Sequence, residues 1–350
     1  MPSIGFVHTD MPNLLKAVRT DQELECPRID AGLRERGVEL VTVREGIGED
    51  ELARTVAQAD LLLMCYTPIT RAVIDGAQRL RGIVKYGVGI DAIDLDAARQ
   101  RGISVVNIPE YAEETVAEGA FALIIGLARQ LGPLHLEMQR VGWAWPERRW
   151  LGHDLSGKTV GLVGVGRIGR SLARMAGAGF RMRVLGFDPN VDRETMRRAG
   201  VEKYDNLHTL LAAADFVSLH AVLNSGTRHL IGETELRCMK PGAFLINVSR
   251  GALVDEQALL SALLSGRLAG AGLDVFSQEP LAHTGHPLSR LFDLPNVLLS
   301  PHLTFYTEEA MERLELETLE RCDELLEGRP VTIKSHDPRL RAQTRGVVFV

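Results

Sequence analysis

The sequence predicts an α/β protein built on two parallel sheets. Three observations carry that reading: short β-branched or Leu-rich runs, amphipathic stretches between them, and a restart of the same rhythm midway along the chain. The 350 residues exceed one ordinary compact core and fit two domains. Hydrophobic residues at 45% and charged residues at 25% are the proportions of a folded globular chain, which excludes a largely disordered or collagen-like protein. A formal net charge of −6 lacks the positive excess that nucleic-acid binding uses.

In chain order, residues 4–7, 38–43, 60–64 and 82–86 read as strands of the first sheet, with helix candidates between them. Residues 116–130 form a long apolar helix. The following Gly142-Trp143-Ala144-Trp145-Pro146-Glu147-Arg148-Arg149-Trp150 holds every tryptophan of the chain, and reads either as an interface arm or as an inter-domain packing loop. The second sheet opens at Thr159–Val163 and continues through residues 184–187, Phe216–Leu219, residues 243–247, residues 270–274 and Val297–Leu299. Residues 308–327 mix acids with Met311, Leu314, Leu319 and Leu326, the pattern of a surface helix closing the fold, and residues 334–350 read as a tail.

The N-terminus lacks a basic start followed by a long apolar stretch, so no secretory leader is expected. The longest apolar run, residues 120–128, is too short for a membrane helix. Cys26, Cys65, Cys238 and Cys322 lie far apart without a C-x-x-C pair, which fits reduced packing cysteines and a cytoplasmic protein.

The strongest motif is Gly164-Val165-Gly166-Arg167-Ile168-Gly169, because it directly follows the strand Thr159–Val163 and opens a helical stretch through Ala178. Gly164 serves the tight turn, Gly166 admits a pyrophosphate to the backbone, and Gly169 lets the helix lie close on the strand. Asp188 closes the next strand 19 residues after Gly169, where an acid accepts hydrogen bonds from the adenosine ribose and repels a 2′-phosphate, so NAD is expected over NADP.

Two other patterns carry less. Gly152-His153-Asp154-Leu155-Ser156-Gly157-Lys158-Thr159 matches the phosphate-binding loop of nucleoside triphosphatases, yet it runs into a strand instead of leading from a strand into a helix. His283 and His286 have no third metal ligand beside them and read as loop residues.

Polar residues gather at three later strand ends: Asn247-Val248-Ser249-Arg250-Gly251, Asp274-Val275-Phe276-Ser277-Gln278-Glu279-Pro280, and Ser300-Pro301-His302. Open α/β sheets place their ligands there. Arg250 would clamp a carboxylate, Glu279 would supply a charge partner and His302 would carry a proton, the set that reduction of a 2-oxo acid beside NADH requires.

With those residues in hand, the chain resembles the D-isomer-specific 2-hydroxyacid dehydrogenase family over residues 60–309. The resemblance rests on Lys85-Tyr86-Gly87-Val88-Gly89-Ile90-Asp91, Asn107-Ile108-Pro109, Ala117-Glu118, the glycine fingerprint, Asn247 to Gly251, Gly272 to Pro280 and Pro301-His302. It implies two doubly wound parallel-sheet domains. A Rossmann NAD domain, residues 110–302, would be inserted into a flavodoxin-like substrate domain, residues 1–109 with 303–334, leaving 335–350 as a tail. It implies that Arg250 binds the substrate carboxylate, that His302 is the acid-base residue, and that Glu279 pairs with His302. The Val88 and Gly89 amides would contact the same carboxylate. Arg167, Ile168, Thr115, Val248 and Asp274 would border the cofactor, with Asp274 near the nicotinamide. His220 and Thr227 match the adenine side, where Val222 stands in place of a common Pro.

Met64 stands where phosphoglycerate dehydrogenases carry Arg, which favours a small unphosphorylated 2-oxo acid over 3-phosphoglycerate. Leu303-Thr304-Phe305-Tyr306 resembles D-lactate dehydrogenases, so Phe305 and Tyr66 would shape the pocket for the substrate side chain. The family implies a homodimer; the net charge and the short apolar runs argue against a nucleic-acid or membrane partner. The second reading is an NAD(H)-sensing binding protein similar to C-terminal-binding-protein corepressors, which share these residues. A nucleotide hydrolase built on the segment 152–159 is the third.

Overall fold

The computed structural model describes residues 14–350. They divide into two compact units, one joining the chain up to Tyr111 with Glu308–Val350, the other spanning Ala112–Thr307.

In the first unit, β1 (Lys16–Arg19), β2 (Glu39–Thr42), β3 (Leu61–Met64), β4 (Gly82–Lys85) and β5 (Ser104–Asn107) make a parallel sheet in the order β2-β1-β3-β4-β5. Every residue of β3, β4 and β5 is buried, because a parallel sheet covered by helices on both faces has no wet side. The strand expected at residues 4–7 lies outside the described residues. The sequence does not mark β1 as a strand, since only Ala17 and Val18 in it are apolar. Arg19 is buried all the same, its guanidinium forked onto the Asp30 carboxylate at 2.7 and 2.9 Å.

The second unit carries seven parallel strands: β6 (Thr159–Val163), β7 (Arg183–Phe187), β8 (Glu202–Lys203), β9 (Phe216–Leu219), β10 (Phe244–Asn247), β11 (Gly270–Leu273) and β12 (Val297–Leu299). Their order is β12-β11-β10-β9-β6-β7-β8, so the chain reverses direction across the sheet between β6 and β9. Ligands of open α/β sheets bind at that reversal, beyond the carboxyl ends of the strands.

Successive strand residues point to opposite faces. Val160, Leu162, Phe216, Phe244 and Ile246 accordingly join one apolar cluster, and Val163, Val217, Leu219 and Leu245 the other. The helix Glu113–Ala128 covers the first cluster with Ala117, Ala120, Phe121, Ile124 and Leu127, an i, i+3, i+4, i+7 stripe.

Two sequence expectations are corrected in the first unit. The helix Glu308–Leu326 is no surface helix: Ala310, Leu314, Thr318 and Cys322 are fully buried, and two of its acids are buried with them. Glu315 accepts the Arg28 and Ile29 N–H groups at 2.7 and 3.1 Å, capping the helix Pro27–Glu35 whose own N-cap, Cys26, offers no side-chain bond. Glu324 accepts the Thr332 N–H and hydroxyl, both at 2.8 Å.

Residues 335–350 are no tail either. They hold the short helix Pro338–Arg341 and β14 (Val347–Phe349), which pairs in parallel with β13 (Val331–Ile333). Gln343 exchanges two 2.8 Å hydrogen bonds with the Val105 backbone on the edge strand β5, so this segment covers an edge that would otherwise lie open.

Among the described residues no single helix is long and apolar enough to cross a membrane. Gly152 to Thr159 leads into β6 and starts no helix, as its order in the sequence required.

Candidate active site

Where β6 ends, Gly164 takes φ +96°, and a Cβ there would stand 2.6 Å from the His220 carbonyl carbon. Only glycine fits that turn. A Cβ on Gly169 would lie 2.5 Å from the Gly164 oxygen, so glycine at this position lets the helix Arg167–Arg174 sit directly on the turn. Beside Gly166, by contrast, a Cβ would meet nothing within 4 Å, leaving the backbone open to an approaching group. The helix that follows points its N-terminus at that opening, which suits a phosphate.

Asp188, at the end of β7, docks on this turn: its carboxylate accepts the Val165 N–H and the Asn190 N–H, each at 2.9 Å. A carboxylate has about four acceptor sites, so two remain for ribose hydroxyls. His220 follows β9 and donates its N–H to the Val163 oxygen at 2.7 Å. Its Nε2 meets the Ser218 hydroxyl at 2.9 Å, while its Nδ1 is buried without a protein partner. Burial pushes His220 down to about 4, so the ring is neutral near pH 7. An open glycine cradle, a carboxylate with spare acceptors and an orphaned ring nitrogen at one switch point fit a dinucleotide.

The remaining cofactor candidates are placed unevenly. Ile168 packs on the sheet, Val248 is buried beyond β10, and Thr115 is buried in the first turn of the helix Glu113–Ala128. Arg167 pairs with Glu113 at 3.1 Å. Thr227 closes its own loop, accepting the Asn224 N–H at 2.8 Å and donating to the Val222 oxygen at 2.6 Å.

Farther along the same sheet edge, the ends of β10, β11 and β12 bring Arg250, Glu279 and His302 into neighbouring loops. His302 Nδ1 lies 2.9 Å from Glu279 Oε2, and Glu279 Oε1 accepts the Phe276 N–H at 2.9 Å. One carboxylate thus fixes the ring while being fixed by its own loop. The Arg250 loop is stitched to that one: a Cβ on Gly251 would stand 2.1 Å from the Phe276 carbonyl carbon. Asn247 donates from Nδ2 to the Arg250 oxygen at 2.9 Å, and Arg250 Nη1 donates to the Ser249 oxygen at 2.7 Å.

His302 adopts φ +58°, a left-handed conformation that costs a non-glycine residue about 1 kcal/mol or more. What holds it there is Asp274, which sequence reasoning placed near the nicotinamide and gave no part in this turn. Asp274 is fully buried. Its carbonyl accepts the His302 N–H at 2.8 Å, and its carboxylate accepts the Leu303 N–H at 2.9 Å, the Thr304 N–H at 3.1 Å, the Thr304 hydroxyl at 2.6 Å and the Ser300 hydroxyl. An acid at a strand end is visible in the sequence; its five donors, from residues 300–304, are not. Phe305, two residues past this anchored turn's Leu303, is buried and packs edge-on against Tyr306 at 6.0 Å.

The first unit has its own ordered strand ends. Asp21, after β1, is buried and accepts the Cys65, Tyr66 and Thr67 N–H groups at 2.7 to 3.0 Å, with the Thr20 and Thr67 hydroxyls at 2.6 and 2.7 Å. Sequence reasoning missed it, for nothing local marks Asp21 as the organiser of residues 65–67.

After β4, the Gly87 oxygen accepts the Ile108 N–H at 3.1 Å and the Val88 oxygen accepts Asn107 Nδ2 at 2.6 Å. In a trans peptide the next N–H points opposite to the carbonyl. The Val88 and Gly89 N–H groups therefore point away from the Ile108 and Asn107 donors at the end of β5.

What the second unit assembles is the equipment of a nicotinamide-dependent oxidoreductase. Comparison with known proteins sharpens the class. The NAD-binding domain of D-isomer specific 2-hydroxyacid dehydrogenases matches residues 121–304. The chain is 39% identical to the glyoxylate reductase of Thermococcus litoralis over 314 residues, which are 88% of each protein. It is 37% identical to the D-3-phosphoglycerate dehydrogenase of Methanocaldococcus jannaschii over 82% of this chain and 54% of that one, and so spans about half of that relative. Among solved structures, D-lactate dehydrogenase from Aquifex aeolicus, complexed with NAD and lactic acid, superposes with a TM-score of 0.78 at 31% identity, covering 89% of this chain and 96% of that one. The chain belongs to the D-isomer specific 2-hydroxyacid dehydrogenase family.

Proposed function

We propose that the protein reduces a small unphosphorylated 2-oxo acid to its D-2-hydroxy acid with NADH, and catalyses the reverse oxidation. The observation that carries this reading is the 2.9 Å His302–Glu279 pair on a strained turn anchored by Asp274. When bound, the nicotinamide supplies or accepts the hydride at the substrate's C2. Everything else falls to side chains of this chain.

Glu279 holds Nδ1 of His302, which makes Nε2 the nitrogen that gives a proton to the C2 oxygen in reduction and takes it back in oxidation. Glu279 also offsets the ring's positive charge before the proton is given. The Arg250 guanidinium offers a planar fork to the substrate carboxylate, and the Val88 and Gly89 amides are suited to the same group. Tyr66 and Phe305 are the candidates for contact with the substrate side chain.

Glyoxylate heads the substrates to try, since the Thermococcus litoralis relative, matched over 88% of both proteins, bears that activity in its name. Met64 is fully buried in β3 and offers nothing to a phosphate, which supports an unphosphorylated substrate. The Asp188 carboxylate supports NAD over NADP by repelling a 2′-phosphate.

A homodimer through the helix Leu131–Val141 and the tryptophan segment fits its surface. That helix buries none of its residues, and Leu136, Trp143 and Trp145 are 65%, 62% and 72% exposed. Trp143→Ser with Trp145→Ser should then shift the sedimenting species toward monomer; an unchanged mass would remove this face from the interface. Four free cysteines, three of them buried, support a reducing cytoplasmic setting.

The deciding experiment follows NADH absorbance against glyoxylate, pyruvate, hydroxypyruvate, 3-phosphohydroxypyruvate and bulkier 2-oxo acids, with NADPH in parallel. Fast turnover of one unphosphorylated acid with NADH supports the proposal. Tight NADH binding without turnover of any acid would overturn it in favour of an NADH-sensing protein.

A further inference from the structure

Lys85 ends β4 directly before the Tyr86-Gly87-Val88-Gly89 loop, and it is buried to 6% exposure. Its ammonium donates to the Cys65 oxygen, lies 3.3 Å from Cys65 Sγ and sits 5.7 Å from the centre of the Tyr66 ring. It also lies beneath the loop: a Cβ on Gly87 would stand 2.9 Å from Nζ.

Those neighbours are a carbonyl, a cysteine sulfur and an aromatic face, and no carboxylate is among them. No Asp or Glu among the described residues forms an ion pair with Lys85. Asp21, which lies on the N–H side of the same Cys65 residue, is occupied by three backbone amides and two hydroxyls. A buried ammonium with no carboxylate beside it carries a desolvation cost that an arriving anion would offset.

The place for that anion is defined by the loop above. The carbonyls of Gly87 and Val88 are pinned to Ile108 and Asn107, so the next two amides face outward. Amides alone attract an anion by partial charges; a full charge under the loop adds to that field.

We propose that Lys85 is a substrate-affinity residue: the buried counter-charge of the substrate carboxylate, completed only when a 2-oxo acid anion sits on the Val88 and Gly89 amides. It would act on binding and not on proton transfer. This deepens the dehydrogenase reading and rests on it for the identity of the anion.

The test compares the parent enzyme with Lys85→Gln, which keeps a donor for the Cys65 oxygen but drops the charge, and Lys85→Arg, which restores it. In Lys85→Gln the KM for glyoxylate or pyruvate should rise about tenfold or more while kcat stays within about twofold, the pattern of lost uniform binding. NADH affinity should not change. Lys85→Arg should recover most of the loss, and the neutral substrate pyruvamide should show no such rise. An unchanged KM, or an equal rise for pyruvamide, would overturn the proposal, because damage to the loop and not loss of charge would then be at work.

Calorimetric binding of oxamate to the NADH complex gives a readout independent of turnover. If the parent reduced no 2-oxo acid yet bound oxamate in a Lys85-dependent way, the dehydrogenase reading would fail and the charge assignment would stand. If the parent turned over and oxamate bound Lys85→Gln equally well, only the charge assignment would fail.

Discussion

Two carboxylates act on His302 from different sides, and their substitutions should separate. Glu279 touches the ring; Asp274 touches only the turn that carries it. His302→Ala should lower kcat by about 10³-fold, in the range for a lost acid-base group, while NADH still binds. Near-normal turnover would remove His302 from proton transfer. Asp274→Asn leaves the ring and Glu279 in place but gives the buried turn an amide where it needs acceptors, so about 1–3 kcal/mol of stability should be lost. Thermal unfolding of this variant beside His302→Ala would show it: equal stability of the two would mean that the turn does not depend on Asp274. The His–Glu pair was legible in the sequence because both residues lie in motifs at strand ends. Asp274 and Asp21 were not legible in role, since each acts largely on backbone atoms of segments brought to it by the fold. Position along the chain carries no trace of those bonds.

At the level of elements, strand reading succeeded where burial on both faces leaves a plain apolar run, as in β3, β4, β9 and β10. It missed Ser104–Asn107, although that strand is buried throughout, and it missed Lys16–Arg19 and the two-residue Glu202–Lys203, where tertiary partners supply what local composition lacks. The helix Glu308–Leu326 misled for a related reason: its acids suggested water, yet Glu315 and Glu324 spend their charge on backbone donors of neighbouring elements. Loops joined by backbone contact should be the least tolerant parts of the site. Gly251→Ala would push a methyl group to within 2.1 Å of the Phe276 backbone, which no rotamer can relieve, so the Arg250 and Glu279 loops must part. We expect a loss of about 3 kcal/mol or more in denaturant unfolding, together with loss of turnover. A variant as stable as the parent would mean that the two loops are not locked together.

For the molecule as a whole, the same burial that shapes the cofactor turn sets a limit on acid stability. His220 is held neutral, its value pushed down to about 4 from an ordinary 6.5 by burial. Between those two values the unfolded chain binds a proton that the folded chain refuses. Unfolding therefore gains from each step down in pH, and the stability contributed by a neutral His220 is full above about 6.5 and lost as pH falls toward 4. The loss is at most about 3.5 kcal/mol, since a tenfold change in proton affinity is worth about 1.4 kcal/mol. Asp215 behaves in the same direction but lower on the scale: burial pushes its carboxyl up, yet the bonds from Lys240 and Thr159 outweigh this and hold it below 3.8. The two contributions separate by window, the histidine acting above pH 4 and the carboxylate below it. Urea unfolding of the full chain at intervals from pH 7 to pH 4.5 should show stability falling by about 2 kcal/mol or more, and His220→Asn should flatten most of that slope. A parent curve already flat over this range would mean that His220 is protonated as readily in the folded protein as in the unfolded one, and that the pocket at the end of β9 is wetter than its packing implies.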